Sequence, residues 1–412
     1  MTWGLKIFNG ILLLLFCSWM SAQDVVVTSF AFTPSRGQNR WHLSTPTQIH
    51  VHQRAANDDV YNKHHHQHVE MDRRSALWQG AFGVASLATA TGLSFPQTAW
   101  AVSPTTSSTW ILENNIVMPV LALNTVGLTA DETERAITLA VQNGMTHVDF
   151  HPGKERDGVA QYLAHNTATA RDQLFLNTKV RKAPPGISAA DAAARTRAQI
   201  ADDLQALNVD HVDMLMLRDS PDCDVIQAQW KVMEEALTAG QTRSVGVINF
   251  CEKALTCLLE TAKVKPALNY YMLHVGMGKD AHGLRTFCDA QGIRTFAYGA
   301  VGEPGPNVEL LNSPVVMKIA KAHKKSPEQV ALRWVLQNGA AASVRPTLEF
   351  GLGTGACRRD GSCEQGLVSR ARSLDWSLSP QEMQTLDALT SPDDNPTLFS
   401  SAGCPGAFVM PK

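Results

Sequence analysis

Short apolar stretches alternate with longer amphipathic ones from residue 118 onward. Four of the apolar stretches are "MPVLALNT", "THVDF", "LFLNTKV" and "HVDMLML", and a segment with helical spacing of its apolar residues follows each. One such segment is "SAADAAARTRAQIADDLQALN", which Ser188 is placed to cap. The alternation continues through "RSVGVINF", "PALNYYML", "RTFAYGAVG" and "ASVRP". Eight βα units over roughly 270 residues predict one (β/α)₈ barrel at 118–390, with a tail at 391–412.

The first hundred residues have a different pattern, which is typical of targeting signals. An apolar run with one preceding lysine is followed by a segment that contains arginine, serine and threonine and has no acid until Asp58. Next, Arg73 and Arg74 precede a moderately apolar run that ends in an A-x-A pattern at Ala101. The predicted segments are a signal peptide at 1–29, a transit-peptide-like segment at 30–72, a twin-arginine-type signal at 73–101 and a linker at 102–117.

The order of these three signals resembles the presequence of proteins sent to the thylakoid lumen of a complex plastid. We therefore expect that location, with secretion as the alternative. Residues 73–101 could instead form a membrane anchor or an ordinary helix, although Gly, Thr and Pro interrupt the run. If cleavage follows Ala101, no stable membrane anchor is expected in the remaining chain.

Composition narrows the function classes. The chain has 412 residues, of which 44% are hydrophobic, so it can form a sizeable core. Its formal net charge of -2 offers no broad cationic surface, and we expect no nucleic-acid partner. The histidines in "NKHHHQHVE" have no companion cysteine or regular spacing, so we predict no metal site. Cys357 and Cys363 are close enough in sequence for a small disulfide loop, with two unpaired thiols as the alternative.

The candidate chemistry lies at the carboxyl ends of the predicted strands, where barrel enzymes place their active sites. The polar and aromatic residues found there are Asp149, Lys179, Arg218, Asn249, Tyr270 and Tyr298.

Several pieces of the chain, in order, resemble the aldo-keto reductase family. Besides the strands quoted above, they include "AVQNGMTHVDF", "WKVMEEALTAGQTRSVGVINF", "FCDAQGIRTFAYGAVG" and "SPEQVALRWVLQNG". The resemblance implies a reductase that uses NADPH without a metal and acts on a small carbonyl or alcohol substrate. In the family a hydride passes to the carbonyl carbon while a tyrosine, tuned by an aspartate and a lysine, protonates the oxygen. A histidine orients the substrate.

By this resemblance, two of the four catalytic residues are present in the sequence. The aspartate is Asp149 and the lysine is Lys179. The tyrosine position holds Lys154, or Gly153 if one residue is deleted, and the histidine position holds Arg218. Lys154, His151 or water would then have to supply the proton. Tyr162 lies in the middle of a predicted helix, where a core or surface role is the better interpretation.

The family's cofactor contacts are also only partly present. Ile248 replaces a serine beside Asn249, and Tyr270 replaces a glutamine. Charge for the 2′-phosphate would come from Arg345 or from Arg358 and Arg359. The residues predicted to bind NADPH are Asn249, Tyr270, Tyr298 and Arg345.

Two interpretations follow from this mixture. The chain is an oxidoreductase of the family with altered proton transfer, or it is an inactive barrel that binds a nucleotide, another small molecule or a protein partner. Arg218 can stabilise negative charge on a substrate oxygen, but it cannot replace an acid because a guanidinium does not readily release a proton. We expect a monomer.

Overall fold

The computed structural model describes residues 108–166, 170–280, 283–302, 307–347, 357 and 359–389, together with five strands before residue 51. The chain divides into two units, Met1–Thr89 and Ala90–Lys412. The strands of the first unit pair in antiparallel fashion into one sheet; they are Leu5–Phe8, Ile11–Cys17, Val26–Pro34, Trp41–Leu43 and Thr47–His50. The predicted twin-arginine segment at 73–101, the His-rich stretch and the tail at 391–412 lie outside the described residues.

Eight parallel strands of the second unit close into a barrel, which confirms the predicted fold. Each strand pairs with its neighbours in chain order, and the eighth pairs with the first through Ala342 and Leu121. The strands are β1 (Leu121–Asn124), β2 (His147–Asp149), β3 (Phe175–Lys179), β4 (Met214–Arg218), β5 (Val245–Ile248), β6 (Leu268–Met272), β7 (Arg294–Tyr298) and β8 (Ala341–Val344).

Helices surround the barrel and explain why the strands are apolar. Strands covered on both faces read as continuous hydrophobic runs, and β1, β5 and β8 are buried along their whole length. The helices are α1 (Ala130–Gln142), α2 (Lys154–His165), α3 (Ala170–Gln173), α4 (Ala189–Leu207), α5 (Cys223–Thr238), α6 (Glu252–Thr261), α7 (Leu284–Ala290), α8 (Asn307–Leu311), α9 (Pro314–His323), α10 (Pro327–Gln337), α11 (Ser362–Ala371) and α12 (Pro380–Asp387).

Ser188 caps α4 as the sequence predicts. Its Oγ accepts a hydrogen bond from the Asp191 backbone N–H at 3.1 Å. Tyr162 of α2 is buried against the core, which agrees with the structural role preferred for it. Among the described residues, no helix has the length and apolar character needed to cross a membrane.

The predicted first strand, "MPVLALNT", is divided in two. Val117–Pro119 pairs with Thr109–Ile111 as an antiparallel hairpin, and the barrel strand begins only at Leu121. The interruption falls at Val120, directly after Pro119, which has no N–H to donate to a sheet. The Pro119 carbonyl instead accepts from the ring of His147 at 2.8 Å, so the hairpin is tied to the start of β2.

The cysteines form more bonds than the sequence suggested. The structure contains the disulfide between Cys357 and Cys363, one of the two alternatives left open. A second disulfide joins Cys223 at the start of α5 to Cys257 of α6, and sequence spacing did not reveal it. It links two helices that are neighbours only after the barrel has formed.

Candidate active site

Most of the predicted site residues lie together at one end of the barrel because they end or directly follow a parallel strand. Asp149, Lys179, Arg218 and Tyr298 are the last residues of β2, β3, β4 and β7, and Asn249 directly follows β5. The carboxyl ends of all eight strands meet at this mouth.

Asp149 and Lys179 form an ion pair that is fully excluded from solvent. The Lys179 ammonium donates to Asp149 Oδ1, and both side chains are 0% exposed. The same ammonium donates to the Phe150 carbonyl at 3.2 Å. Burial lowers the pKa of Lys179, and the carboxylate beside it acts in the opposite direction. The adjacent strands β2 and β3 thus bring the two side chains into contact.

Three further donors reach the Asp149 carboxylate. Asn177 Nδ2 lies 3.2 Å from Oδ1, while the Tyr270 hydroxyl and Ser343 Oγ donate to Oδ2 at 2.6 Å and 2.7 Å. Both oxygens of the carboxylate therefore have hydrogen-bond donors. The donors come from β3, β6 and β8, so Asp149 joins strands on opposite sides of the barrel.

Tyr270 reaches into the centre of this network, which sequence reasoning did not foresee. Its phenol oxygen also accepts from Asn124 Nδ2 at 3.0 Å, and its ring stacks on Phe296 with centroids 4.5 Å apart. The Lys179 ammonium lies 5.4 Å from the ring centre. Burial, and to a smaller extent the negative charge of Asp149, raise the pKa of Tyr270 well above its usual range. The phenol therefore stays protonated and holds Asp149.

Asn249 and Tyr298 form a second, more accessible group. The Tyr298 hydroxyl donates to Asn249 Oδ1 at 2.9 Å, which leaves the Asn249 amide N–H groups without a partner in the described part of the chain. Asn249 adopts a left-handed backbone conformation, with φ of 60°, where the chain turns out of β5. An oriented amide donor beside a half-buried aromatic ring fits the carboxamide and ring of a nicotinamide.

The remaining predicted residues lie at the edge of the mouth. Lys154 begins α2 and is exposed, and Gly153 before it has a φ of 104°. Arg218 is half-buried, and its Nε has no hydrogen-bond partner among the described residues. Arg345 directly follows β8. Residues 348–356 and 358 lie outside the described residues, and Arg359 is exposed.

His151 and Glu155 form a pair at the same edge. The sequence indicated His151 as one possible proton donor but did not indicate its pairing with Glu155. His151 Nδ1 lies 3.0 Å from Glu155 Oε2, and the spacing of four residues across the start of α2 was a signal available in the sequence. No group of three or more metal-binding side chains occurs in the described residues.

Residues 121–350 match the sequence model of the aldo/keto reductase family. The chain is 28% identical over 280 residues to the glyoxal reductase of Bacillus subtilis, covering 68% of this chain and 91% of that protein. It is 30% identical over 264 residues to the NADPH-dependent codeinone reductase 1-2 of Papaver somniferum, covering 57% of this chain and 79% of the relative. The fold is similar to that of an aldo-keto reductase from a Medee basin deep-sea metagenome library, with a TM-score of 0.59, 21% identity and coverage of 69% and 95%.

Proposed function

Because this chain belongs to the aldo/keto reductase family, we propose that it is an NADP(H)-dependent oxidoreductase that interconverts a small carbonyl compound and its alcohol. Two relatives support the substrate and cofactor: one is named as a glyoxal reductase and the other as NADPH-dependent. The observation that carries the proposal is the Asn249 and Tyr298 pair at the barrel mouth, where the amide N–H groups of Asn249 have no partner among the described residues and lie beside an aromatic ring.

The family's Asp and Lys positions are kept, while its Tyr and His positions are not. Asp149 and Lys179 form the buried pair, and Lys154 and Arg218 occupy the other two positions. Arg218 would hold a fixed positive charge near the substrate oxygen, where it stabilises the negative charge that develops there. Proton transfer must then come from another group.

NADPH binding to the full-length protein, followed by the change in cofactor fluorescence, tests this function. Asn249→Asp keeps the size of the side chain and tolerates the left-handed backbone, but it replaces the amide donor with a carboxylate oxygen. We expect the variant to bind NADPH about tenfold or more weakly, since one lost hydrogen bond in a dry site is worth at least about 1.4 kcal/mol.

Asn208→Asp is the matched control. Asn208 also has a positive φ, of 53°, but it is exposed at the end of α4. NADPH affinity should be unchanged in this variant. Equal affinity in the parent and in Asn249→Asp, or no binding at high micromolar NADPH, would rule out the proposed cofactor site.

The alternative is a catalytically inactive barrel that binds a nucleotide, a small molecule or a protein. The observation favouring it is that Asp149, with four donors, is enclosed and does not face solvent. A panel of carbonyl compounds with NADPH separates the two functions. Turnover by the parent supports the oxidoreductase, whereas activity that appears only in the double variant Lys154→Tyr with Arg218→His indicates a disabled reductase.

We also propose that residues 1–101 direct the protein to the thylakoid lumen of a plastid. The order of signal-peptide, transit-peptide and twin-arginine patterns supports this location. A fluorescent protein fused after Ala101 should reach the lumen, and Arg73→Lys with Arg74→Lys should hold it in the stroma. Fluorescence in the secretory pathway would favour secretion.

A further inference from the structure

His151 and Glu155 lie where the chain leaves β2 and enters α2. Glu155 Oε2 accepts from the His151 backbone N–H at 2.9 Å, and the ring Nδ1 lies 3.0 Å from the same oxygen. The side chains are 21% and 11% exposed, so the pair is sheltered but not closed off from solvent. One carboxylate therefore fixes both the backbone and the ring of this histidine.

The carboxylate of Glu155 is itself held in its ionised form. Thr125 Oγ1 donates to Oε2 and the Gly127 backbone N–H donates to Oε1, both at 3.0 Å. Burial acts to raise the pKa of Glu155, but His151, Lys179 and the Gly127 N–H lower it to about 2. An ionised carboxylate only accepts hydrogen bonds, so the hydrogen of neutral His151 is on Nδ1. The lone pair is then on Nε2.

Among the described residues at the mouth, His151 has a ring nitrogen that is available to exchange a proton. Its Nε2 makes no hydrogen bond with any described residue, whereas the phenol of Tyr270 is bound to Asp149. Lys154 is exposed at the start of α2 and makes no hydrogen bond to Asp149 or Lys179 in the described part of the chain. His151 directly follows Phe150, whose carbonyl accepts from the Lys179 ammonium at 3.2 Å, so the histidine lies next to the buried ion pair at the mouth.

We propose that His151, oriented by Glu155, is the proton-transfer residue of this active site. The proposal rests on the oxidoreductase function proposed above. A carboxylate that fixes the tautomer of an imidazole and stabilises its charged form is a general device for activating histidine. Here the device would replace the family's tyrosine, at a position three residues earlier in the chain.

The proton moves as follows in the oxidation of an alcohol. The O–H bond of the substrate breaks, and its proton forms a bond to Nε2 while Glu155 stabilises the imidazolium. The nicotinamide, when bound, supplies the acceptor for the hydride that leaves the carbinol carbon. The imidazolium then returns its proton to water. In carbonyl reduction the imidazolium gives the Nε2 proton to the carbonyl oxygen, the carbonyl carbon would receive its hydride from the reduced nicotinamide, and the ring regains its proton from water.

The surrounding charges determine the pH dependence. Burial is the largest effect on the pKa of His151 and lowers it. The positive charges of Lys179 and Arg218 also lower this pKa, whereas the Glu155 carboxylate raises it. At neutral pH the ring is therefore mainly an uncharged base. Alcohol oxidation should rise with pH through a pKa below 6.5 and stay level above neutrality. Carbonyl reduction should fall as pH rises through the same range.

His151→Gln in the full-length protein tests the proposal, because glutamine keeps a donor for Glu155 but cannot transfer a proton. We expect kcat to fall by about 10²-fold or more with NADPH affinity unchanged, and the pH dependence of the remaining rate should be lost. His151→Ala should regain activity when imidazole is added. The matched control is His165→Gln, because His165 also pairs with a glutamate, Glu134 at 2.6 Å, but is 67% exposed at the end of α2.

Glu155→Gln gives a readout that does not depend on turnover. Nuclear magnetic resonance of the His151 ring should show a pKa that falls further when the carboxylate is removed, while the His165 signal stays unchanged. This titration reports directly whether the Glu155 carboxylate stabilises the imidazolium of His151.

The outcomes separate the two proposals. If His151→Gln keeps a rate within threefold of the parent, or the pH profile is unchanged, the role of His151 is refuted while the oxidoreductase function stands. A parent that neither binds NADPH nor reduces any carbonyl overturns both. An unshifted His151 pKa in Glu155→Gln refutes the orienting role of Glu155.

Discussion

Removing the Tyr270 hydroxyl should destabilise the protein far more than removing the same group from the next residue. Tyr270→Phe deletes the 2.6 Å hydrogen bond to Asp149 and leaves Asn124 Nδ2 without its acceptor. A hydrogen bond to a charged group contributes about 1.5–3 kcal/mol, and an orphaned buried donor costs about 1–3 kcal/mol. We therefore expect the free energy of unfolding to fall by about 3 kcal/mol.

Tyr271→Phe is the matched control. Its hydroxyl is also buried, but it pairs with the neutral Thr295 Oγ1 at 3.0 Å. A neutral hydrogen bond contributes about 1 kcal/mol, so the two variants should differ by about 2 kcal/mol. Urea unfolding followed by tryptophan fluorescence and by circular dichroism gives both values, provided that the two probes report one transition.

Ser343→Ala completes a double-mutant cycle around Asp149 Oδ2. Each single change leaves one donor on this oxygen, whereas the double variant with Tyr270→Phe leaves none. The combined loss should exceed the sum of the single losses by about 1 kcal/mol or more, because a buried carboxylate oxygen is then without a partner. Equal stability of Tyr270→Phe and Tyr271→Phe, or strict additivity in the cycle, would refute this account of the network.

Three further predictions concern stability. Burial lowers the pKa of His147 to about 4, so the unfolded state binds more protons and the free energy of unfolding should fall as pH drops from 6.5 towards 4. Urea unfolding near pH 5 should give about 2 kcal/mol less than at neutral pH, and His147→Phe should reduce that difference. Gly158→Ala should cost about 1–3 kcal/mol, since its Cβ would lie 2.4 Å from the Ala130 carbonyl oxygen, and an unchanged urea midpoint would contradict this contact. Ser188→Ala should cost about 1 kcal/mol with loss of helix signal on mild heating.

The sequence was sufficient for the parts of the site that depend on strand order. Asp149 and Lys179 end adjacent strands, and parallel strands bring such ends together whatever the side chains. The Ser188 cap could also be predicted, because it depends only on residues close to it in the sequence. The division of "MPVLALNT" was not predicted, because the hydrophobic pattern continues across Pro119 while the pairing changes from a hairpin to the barrel.

Contacts across the barrel could not be predicted in this way. Tyr270 was expected to face the cofactor because of its sequence position, but the direction and reach of a phenol depend on the register of eight strands. The Cys223–Cys257 disulfide likewise depends on the packing of α5 on α6. His151 and Glu155 are different: their spacing was visible, and only the contacts with Thr125 and Gly127 show that the pair is fixed.

The partners of Asp149 also bear on how the chain folds. Asn177 and Lys179 follow it within 30 residues, but Tyr270 and Ser343 come 121 and 194 residues later. A nascent chain that ends after β4 would contain the ion pair with one carboxylate oxygen lacking both of its donors. Such a half-barrel should not be an autonomous folding unit, and ring closure by β8 should be coupled to the last hydrogen bond that this carboxylate receives. The chemistry of the mouth is thereby completed only when the last strand has been made.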